Sequence, residues 1–312
     1  MDNVSHFTTF TLSGLNESVT NKYIYFALTL LWYLVIIIVN LTLIALILLE
    51  KTLHEPMYIF LCNLCVNGLY GTAGFCPKLL ADFLSDTHVI SYTGCLLQTF
   101  VIFSYSLCEF TNLTVMAYDR YVAICKPLHY NSIMTPLTVG KLLLFSWIFP
   151  CFSVTFTILL TIGQPFCGNH IEKLYCDNWS LERLLCKFST VSIVFGLIQM
   201  ACFIALVLFI FYSYIKLIAA CRRSQEDRSK FMHTCLPHLI TFLNFIIATL
   251  FDTLNTRFGD QEMSQSLRNL MSVEYLIVPP LFNPIIYGLK LNQIRKKVLR
   301  MLFRSFCSLH LV

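Results

Sequence analysis

Seven stretches of this 312-residue chain are long and apolar enough to span a membrane, and this limits the fold more than any other feature of the sequence. A spanning helix needs about 20 mostly apolar residues. Tyr23–Leu49, Met57–Leu84, Cys95–Ile124, Thr138–Ile162, Val191–Ile218, Met232–Leu254 and Leu270–Leu289 meet that need. No strand alternation competes with them, and backbone in lipid must satisfy its own hydrogen bonds, so helices are the expected form. The expected fold class is all-α membrane: a single seven-transmembrane helix bundle over 23–289, with a long loop at about 163–190. A polar tail (1–22) precedes it, and a tail with a short amphipathic eighth helix (290–312) follows. Pro56, Pro136 and Pro237 fall at or near expected helix starts, whereas Pro150, Pro279, Pro280 and Pro284 lie inside spans and should bend them.

Composition closes off the soluble alternatives. With 57% apolar and 12% charged residues, the chain lacks the polar surface that a soluble enzyme of this size needs. Its 27 Phe and 15 Tyr argue equally against disorder. The 22 Lys and Arg sit in short gaps between apolar runs, so no nucleic-acid partner is expected. Fifteen of those 22 lie in 50–56, 120–141 and 216–230 or after 289, which puts those segments in the cytosol and the N-terminus outside. The polar 1–22 tail is no cleavable signal peptide, so the first span is expected to act as its own export signal. In that orientation Asn3-Val-Ser, Asn16-Glu-Ser and Asn178-Trp-Ser are external glycosylation sequons. Asn40-Leu-Thr and Asn112-Leu-Thr match the pattern inside spans and are not expected to be modified.

Of 14 cysteines, Cys95, Cys167, Cys176 and Cys186 face the oxidising side, giving three ways to pair. Cys307 is a candidate for lipidation, and the others read as small apolar packing residues. Cys95 and Arg120 are 25 residues apart, roughly 37 Å of helix, so the third span joins a tether on one surface to Asp119-Arg120-Tyr121 on the other. Asp119 and Arg120 can neutralise each other or lock to a neighbouring helix, with release of that lock as a switch, or Arg120 can simply snorkel to water. His233, Cys235 and His238 share no helical face well enough for a zinc site, and no catalytic arrangement lies in the membrane, so no metal, cofactor or enzyme activity is expected. A transporter would call for an inverted repeat and broken helices, and an odd span count without an internal repeat argues against one.

Met116-Ala-Tyr-Asp-Arg-Tyr-Val-Ala-Ile-Cys125 resembles the third-helix signature of odorant receptors, within the rhodopsin-like G-protein-coupled receptors. Leu53-His-Glu-Pro-Met-Tyr58, Ser213-Tyr214, Lys230-Phe-Met-His-Thr-Cys-Leu-Pro-His-Leu239 and Pro280-Leu-Phe-Asn-Pro-Ile-Ile-Tyr287 extend the resemblance in order along essentially the whole chain. Glu55 and Asn67-Gly68 look most like fish odorant receptors. The resemblance implies a plasma-membrane receptor of sensory neurons. A small odorant would bind between the outer halves of helices three, five and six, and the sixth helix would swing out to admit a heterotrimeric G protein with a stimulatory, olfactory-type α subunit. It implies that Arg120 contacts the G protein once its pairing with Asp119 loosens, that Tyr214 and Tyr287 hold the open state, and that Asn283 and Pro284 shape the hinge. It also implies the disulfides Cys95–Cys176 and Cys167–Cys186.

Two positions depart from the family. Gly68 stands where many members have an aspartate of a sodium and polar network that includes Asn40, which leaves Glu109 without its usual partner. Glu109 is then expected to be protonated, or solvated by Asn63, Asn67 and internal water. Ile246 stands where an aromatic often sits.

Arg257 lies 28 residues after Ser229, about 42 Å along the sixth helix and hence at the outer mouth. Thr256-Arg257-Phe258-Gly259 resembles the subgroup of odorant receptors that detects water-soluble molecules, often carboxylic acids. A guanidinium grips a carboxylate with two hydrogen bonds; alternatively Arg257 pairs with Asp252, Asp260 or Glu262. Phe103, Ser106, Leu107, Ile198, Cys202, Thr249, Leu250 and Thr253 are expected to line a mostly apolar pocket beneath it. Thr99–Ser104 lacks the aspartate that holds amines in aminergic receptors, although Glu274 is an acid at similar height. The basic tail (Arg295, Lys296, Lys297, Arg300 and Arg304) reads as an anchor to membrane lipids.

Overall fold

The computed structural model describes residues 8–13, 19–187, 189–221, 225–258, 265–290 and tail positions 294, 295 and 297. Its long helices are α1 (Val19–Leu49), α2 (Pro56–Leu84), α3 (Tyr92–Cys125), α5 (Pro136–Thr161), α7 (Thr190–Cys221), α8 (Gln225–Phe258) and α9 (Gln265–Lys290). Two short helices, α4 (Tyr130–Ile133) and α6 (Asn178–Arg183), lie in connections. Among the described residues α1, α2, α3, α5, α7 and α8 contain stretches long and apolar enough to cross a membrane, and α9 covers the seventh expected span.

Helix starts follow local chemistry. Pro56 and Pro136 occupy first turns, where the missing N–H is harmless, and the Ser91 and Thr135 side chains accept the Gly94 and Thr138 amides to cap α3 and α5. Pro237 departs from expectation. The helix-forming run from Gln225 starts α8 seven residues before Met232, so this proline lies inside the helix, as do Pro77, Pro150, Pro279, Pro280 and Pro284.

α3 is the hub and packs against α2, α5, α7 and α8. It buries Thr99, Ser104, Glu109, Thr111, Asn112, Thr114 and Asp119. Its threonines return hydrogen bonds to their own helix, such as Thr114 Oγ1 to the Phe110 carbonyl at 2.7 Å, and Thr111 Oγ1 also reaches the Ser146 carbonyl of α5 at 3.0 Å. Asn63 of α2 ties three helices together: it donates to Asn112 and to Ser146 Oγ (3.1 Å) and accepts from Trp147 Nε1 (2.7 Å).

A small sheet caps the loop end of the bundle. β1 (Thr9–Leu12) runs in its middle, antiparallel to β2 (Val89–Ser91) and parallel to β3 (His170–Ile171). The polar tail thus contributes the middle strand of this sheet. In Thr-Phe-Thr-Leu the residues alternate, and the strand turns Phe10 and Leu12 into a second apolar cluster with Ile90, Phe166, Ile171 and Leu181. The disulfides Cys95–Cys176 and Cys167–Cys186 fasten the same region, with both members of the first pair buried in this cluster.

Candidate functional site

At the end of α3 away from the sheet, Asp119 is fully buried and serves two partners. Arg120 Nε donates to Asp119 Oδ2 at 2.9 Å, with a second bond from the same guanidinium, while the Tyr130 hydroxyl of α4 donates to Oδ1 at 2.7 Å. The carboxylate therefore holds both the arginine and the loop after α3. One helical layer inward, His238 of α8 joins three helices. The Leu113 carbonyl can only accept, so Nε2 at 2.9 Å must carry the proton, leaving Nδ1 to accept from the Tyr214 hydroxyl of α7. Tyr287 and Pro284 are buried nearby on α9, and Tyr121 is half-buried beside Arg120.

The middle of the bundle contains one deeply buried acid among the described residues of α3 other than Asp119. Glu109 accepts Asn67 Nδ2 on one carboxylate oxygen and Asn283 Nδ2 on the other, both at 2.7 Å. Asn283 of α9 thus fills the role expected of Asn63, whose amide is engaged with Asn112 and Ser146 instead. Gly68 has a different use: a Cβ there would lie 3.2 Å from Pro280 Cβ and 3.7 Å from Asn40 Oδ1. Glycine lets α2 close on α9, and Asn40 of α1 ties a third helix to the same turn by donating from Nδ2 to the Pro280 carbonyl at 2.8 Å. An aspartate at 68 would force the two helices apart by a few tenths of an ångström.

At the loop end, charge is buried under the disulfide-bonded loop. Lys173 is 6% exposed and reaches Asp177 at 2.7 Å and Asp252 of α8 at 3.0 Å. Burial works against its ammonium, but the two carboxylates outweigh that and hold it above the usual lysine range. Asp177, although half-buried, is held below the usual carboxylate range by Lys173 and by the Ser180 amide. The Tyr175 hydroxyl also donates to Asp252 (3.4 Å), and its ring meets Tyr275, which is hydrogen-bonded to Ser106 of α3. Gln98 locks the loop to the helices, accepting the Cys176 amide at 2.9 Å and donating to the Gly74 carbonyl at 3.3 Å.

Comparison with known proteins decides the family. A family model described as olfactory receptor matches residues 29–305. The chain belongs to the olfactory receptor family. It is 33% identical to human olfactory receptor 13D1 over 99% of this chain and 89% of that protein. It is 34% identical to human olfactory receptor 52D1 over 86% of each. Squid rhodopsin shares the fold, with a TM-score of 0.71 at 15% identity over 92% of this chain and 81% of that one. The protein is therefore a multi-pass membrane receptor of the G-protein-coupled class, with a small-molecule ligand and a G-protein partner, and is not an enzyme.

Within this olfactory receptor the expected ligand residues divide. Phe103, Ser106 and Leu107 are half-buried on α3, and Thr249 is half-buried on α8 with its hydroxyl on the Phe245 carbonyl (2.8 Å). Ile198 and Cys202 of α7 and Leu250 of α8 are exposed, on faces other than the packed one. The side chains of Thr253 and Arg257 lie outside the described residues, as do Asn3, Asn16, Cys307 and most of the basic tail. In that tail Ile294 is buried and Lys297 pairs with Glu50. Asn178 opens α6, its Nδ2 donating to Glu182 at 2.8 Å. Sequence reading missed Tyr130, Lys173, Tyr175 and Tyr275 as site residues. Lys173 carried one signal, lying three residues before a loop cysteine, but its partner Asp252 is 79 residues away.

Proposed function

We propose that this receptor takes a small water-soluble carboxylate odorant under the disulfide-bonded loop and passes the signal to a stimulatory, olfactory-type G protein at the Asp119–Arg120 end. The N-terminus and the loop lie outside the cell, and Arg120 and the tail lie in the cytosol, as the Lys and Arg asymmetry favours. The observation that carries the reading is α3 itself. One continuous helix joins a disulfide-fixed, charged roof to a releasable ion pair, with Glu109 and the His238 junction between them. A ligand acts on such a chain only through its differing affinity for the two conformations. Arg257, at the mouth of α8, is the residue proposed to grip the carboxylate, and Ser106 and Thr249 offer hydroxyls along a mostly apolar wall.

The test is cAMP in cells expressing the receptor, exposed to matched panels of short carboxylates, amines and neutral odorants. Carboxylates are expected to activate, and Arg257→Gln to remove that response at unchanged surface level. Activation by amines and not by carboxylates would overturn the ligand assignment, and ligand flux without G-protein dependence would overturn the receptor mechanism.

A further inference from the structure

Among the described residues α8 packs chiefly on α9 and only lightly on α3. Two polar ties join it to α3. One is the His238 bond to the Leu113 carbonyl, toward the Arg120 end. The other lies at the opposite end and runs through the loop. Asp252 of α8 accepts Lys173 Nζ on both carboxylate oxygens, at 3.0 and 3.2 Å, and also accepts the Tyr175 hydroxyl. Neither loop residue is placed to follow Asp252 if it shifts. Tyr175 precedes Cys176, which is bonded to Cys95 of α3 and donates its amide to Gln98 of the same helix. The fully buried Tyr175 ring stands edge-on against Phe75 of α2 at 5.4 Å. Lys173 is held from the far side by Asp177 Oδ2 at 2.7 Å, while the other oxygen of Asp177 caps α6.

We infer that the Lys173–Tyr175–Asp252 contact is a clasp that holds the outer end of α8 to α3 and keeps signalling low in the absence of odorant. The swing of α8 expected from the family resemblance turns that helix relative to α3, so Asp252 must move against a loop anchored on α3. Drawing Asp252 away from Lys173 breaks a buried ion pair, which is costly because water does not fully replace the lost partner. The clasp is closed in the same conformation in which Asp119 still holds Arg120 at the other end of α3. Its free energy therefore favours the resting state. The restraint needs no ligand and is separate from the gripping role assigned to Arg257.

The experiment reads the position of α8 directly. Cys235 lies on α8 toward the Arg120 end and is fully buried, so a pulse of N-ethylmaleimide reaches its thiol only when α8 moves away. The full-length receptor in phosphatidylcholine nanodiscs, without odorant or G protein, is labelled and its Cys235 peptide quantified by mass spectrometry. Lys173→Met should raise the labelling rate about tenfold, equivalent to about 1.4 kcal/mol of bias toward the swung conformation. Tyr175→Phe removes one hydroxyl, keeps the ring and should raise the rate about threefold, as the loss of one hydrogen bond would. Lys173→Arg keeps a cation for both carboxylates and should stay at the unmodified rate. Glu182→Ala breaks the Asn178–Glu182 bond of α6 but not the clasp, and should also leave the rate unchanged. In cells, Lys173→Met should raise odorant-free cAMP per surface receptor in step with labelling. An unchanged rate in Tyr175→Phe and Lys173→Met, or an equal rise in Glu182→Ala, would overturn the inference. Labelling needs neither ligand nor coupling, so a failure of the carboxylate or G-protein assignment would appear in cAMP alone.

Discussion

α3 and α7 are nearly equal in length, at 34 and 32 residues, yet they lie at opposite extremes of the bundle. In the most apolar 18-residue window of each, 72% of α3 is buried against 6% of α7, although α7 is the more hydropathic of the two. The order is the reverse of a soluble core. Lipid solvates leucine as well as another helix does, so apolar area gives no reason to leave the rim. Polar groups have no partners in lipid, so the helix that carries Glu109, Asn112 and Asp119 is drawn to the centre.

This contrast can be broken by mutation, and the largest effect falls at the end of α3. Arg120→Ala should abolish odorant-evoked cAMP at unchanged surface level, and a retained response would show that coupling does not pass through this residue. Next comes packing. Phe110 meets Phe203 and Phe245 edge-on at 4.3 and 4.7 Å. Phe110→Ala should cost about 3–5 kcal/mol, read as a lower melting temperature of the solubilised receptor. Glu109→Ala strands two buried amides at about 1–3 kcal/mol each, whereas Glu109→Gln keeps an acceptor and should lose less. A Gln variant as unstable as the Ala variant would show that the charge, not the hydrogen bonding, holds α2 and α9.

The loop over α3 should be insensitive to ordinary pH. Lys173 is held above its usual range, so its contribution is full at lower pH and is lost only as pH rises through that raised value. Asp177 is held below its range, so its contribution is full at higher pH and is lost only as pH falls through the lowered value. Thermal stability should therefore be flat between about pH 5 and 9 as far as this cluster decides it. Titration of the loop tie within that window would sink the pairing. The smallest effect is expected on α7. Leu208 is 61% exposed, and Leu208→Ala should move stability by no more than about 0.5 kcal/mol. A loss comparable to that of Phe110→Ala would mean that the exposed face of α7 packs against something.

Much of this was legible from residue order. The spans follow from apolar runs, and the Asp119–Arg120 end of α3 from the cost of placing ions near lipid. The role of Gly68 was half legible: the missing carboxylate can be seen in the sequence, but the close approach of Pro280 that the glycine permits cannot. Pro237 was misplaced because hydropathy marks where a span enters the membrane, not where its helix begins. β1 is only four residues long, and its alternation acquires meaning only once β2 and β3 flank it.

By itself the sequence determined a seven-span receptor chain, the two ends of its third helix and the acid between them. These depend on local composition and on fixed helical rise. Tertiary structure alone decided that Asn283 and not Asn63 pairs with Glu109, that Tyr130 shares Asp119 with Arg120, and that Lys173 spans from the loop to Asp252. Each of these joins residues from different elements, and only packed geometry selects one hydrogen-bond partner among several chemically equivalent ones.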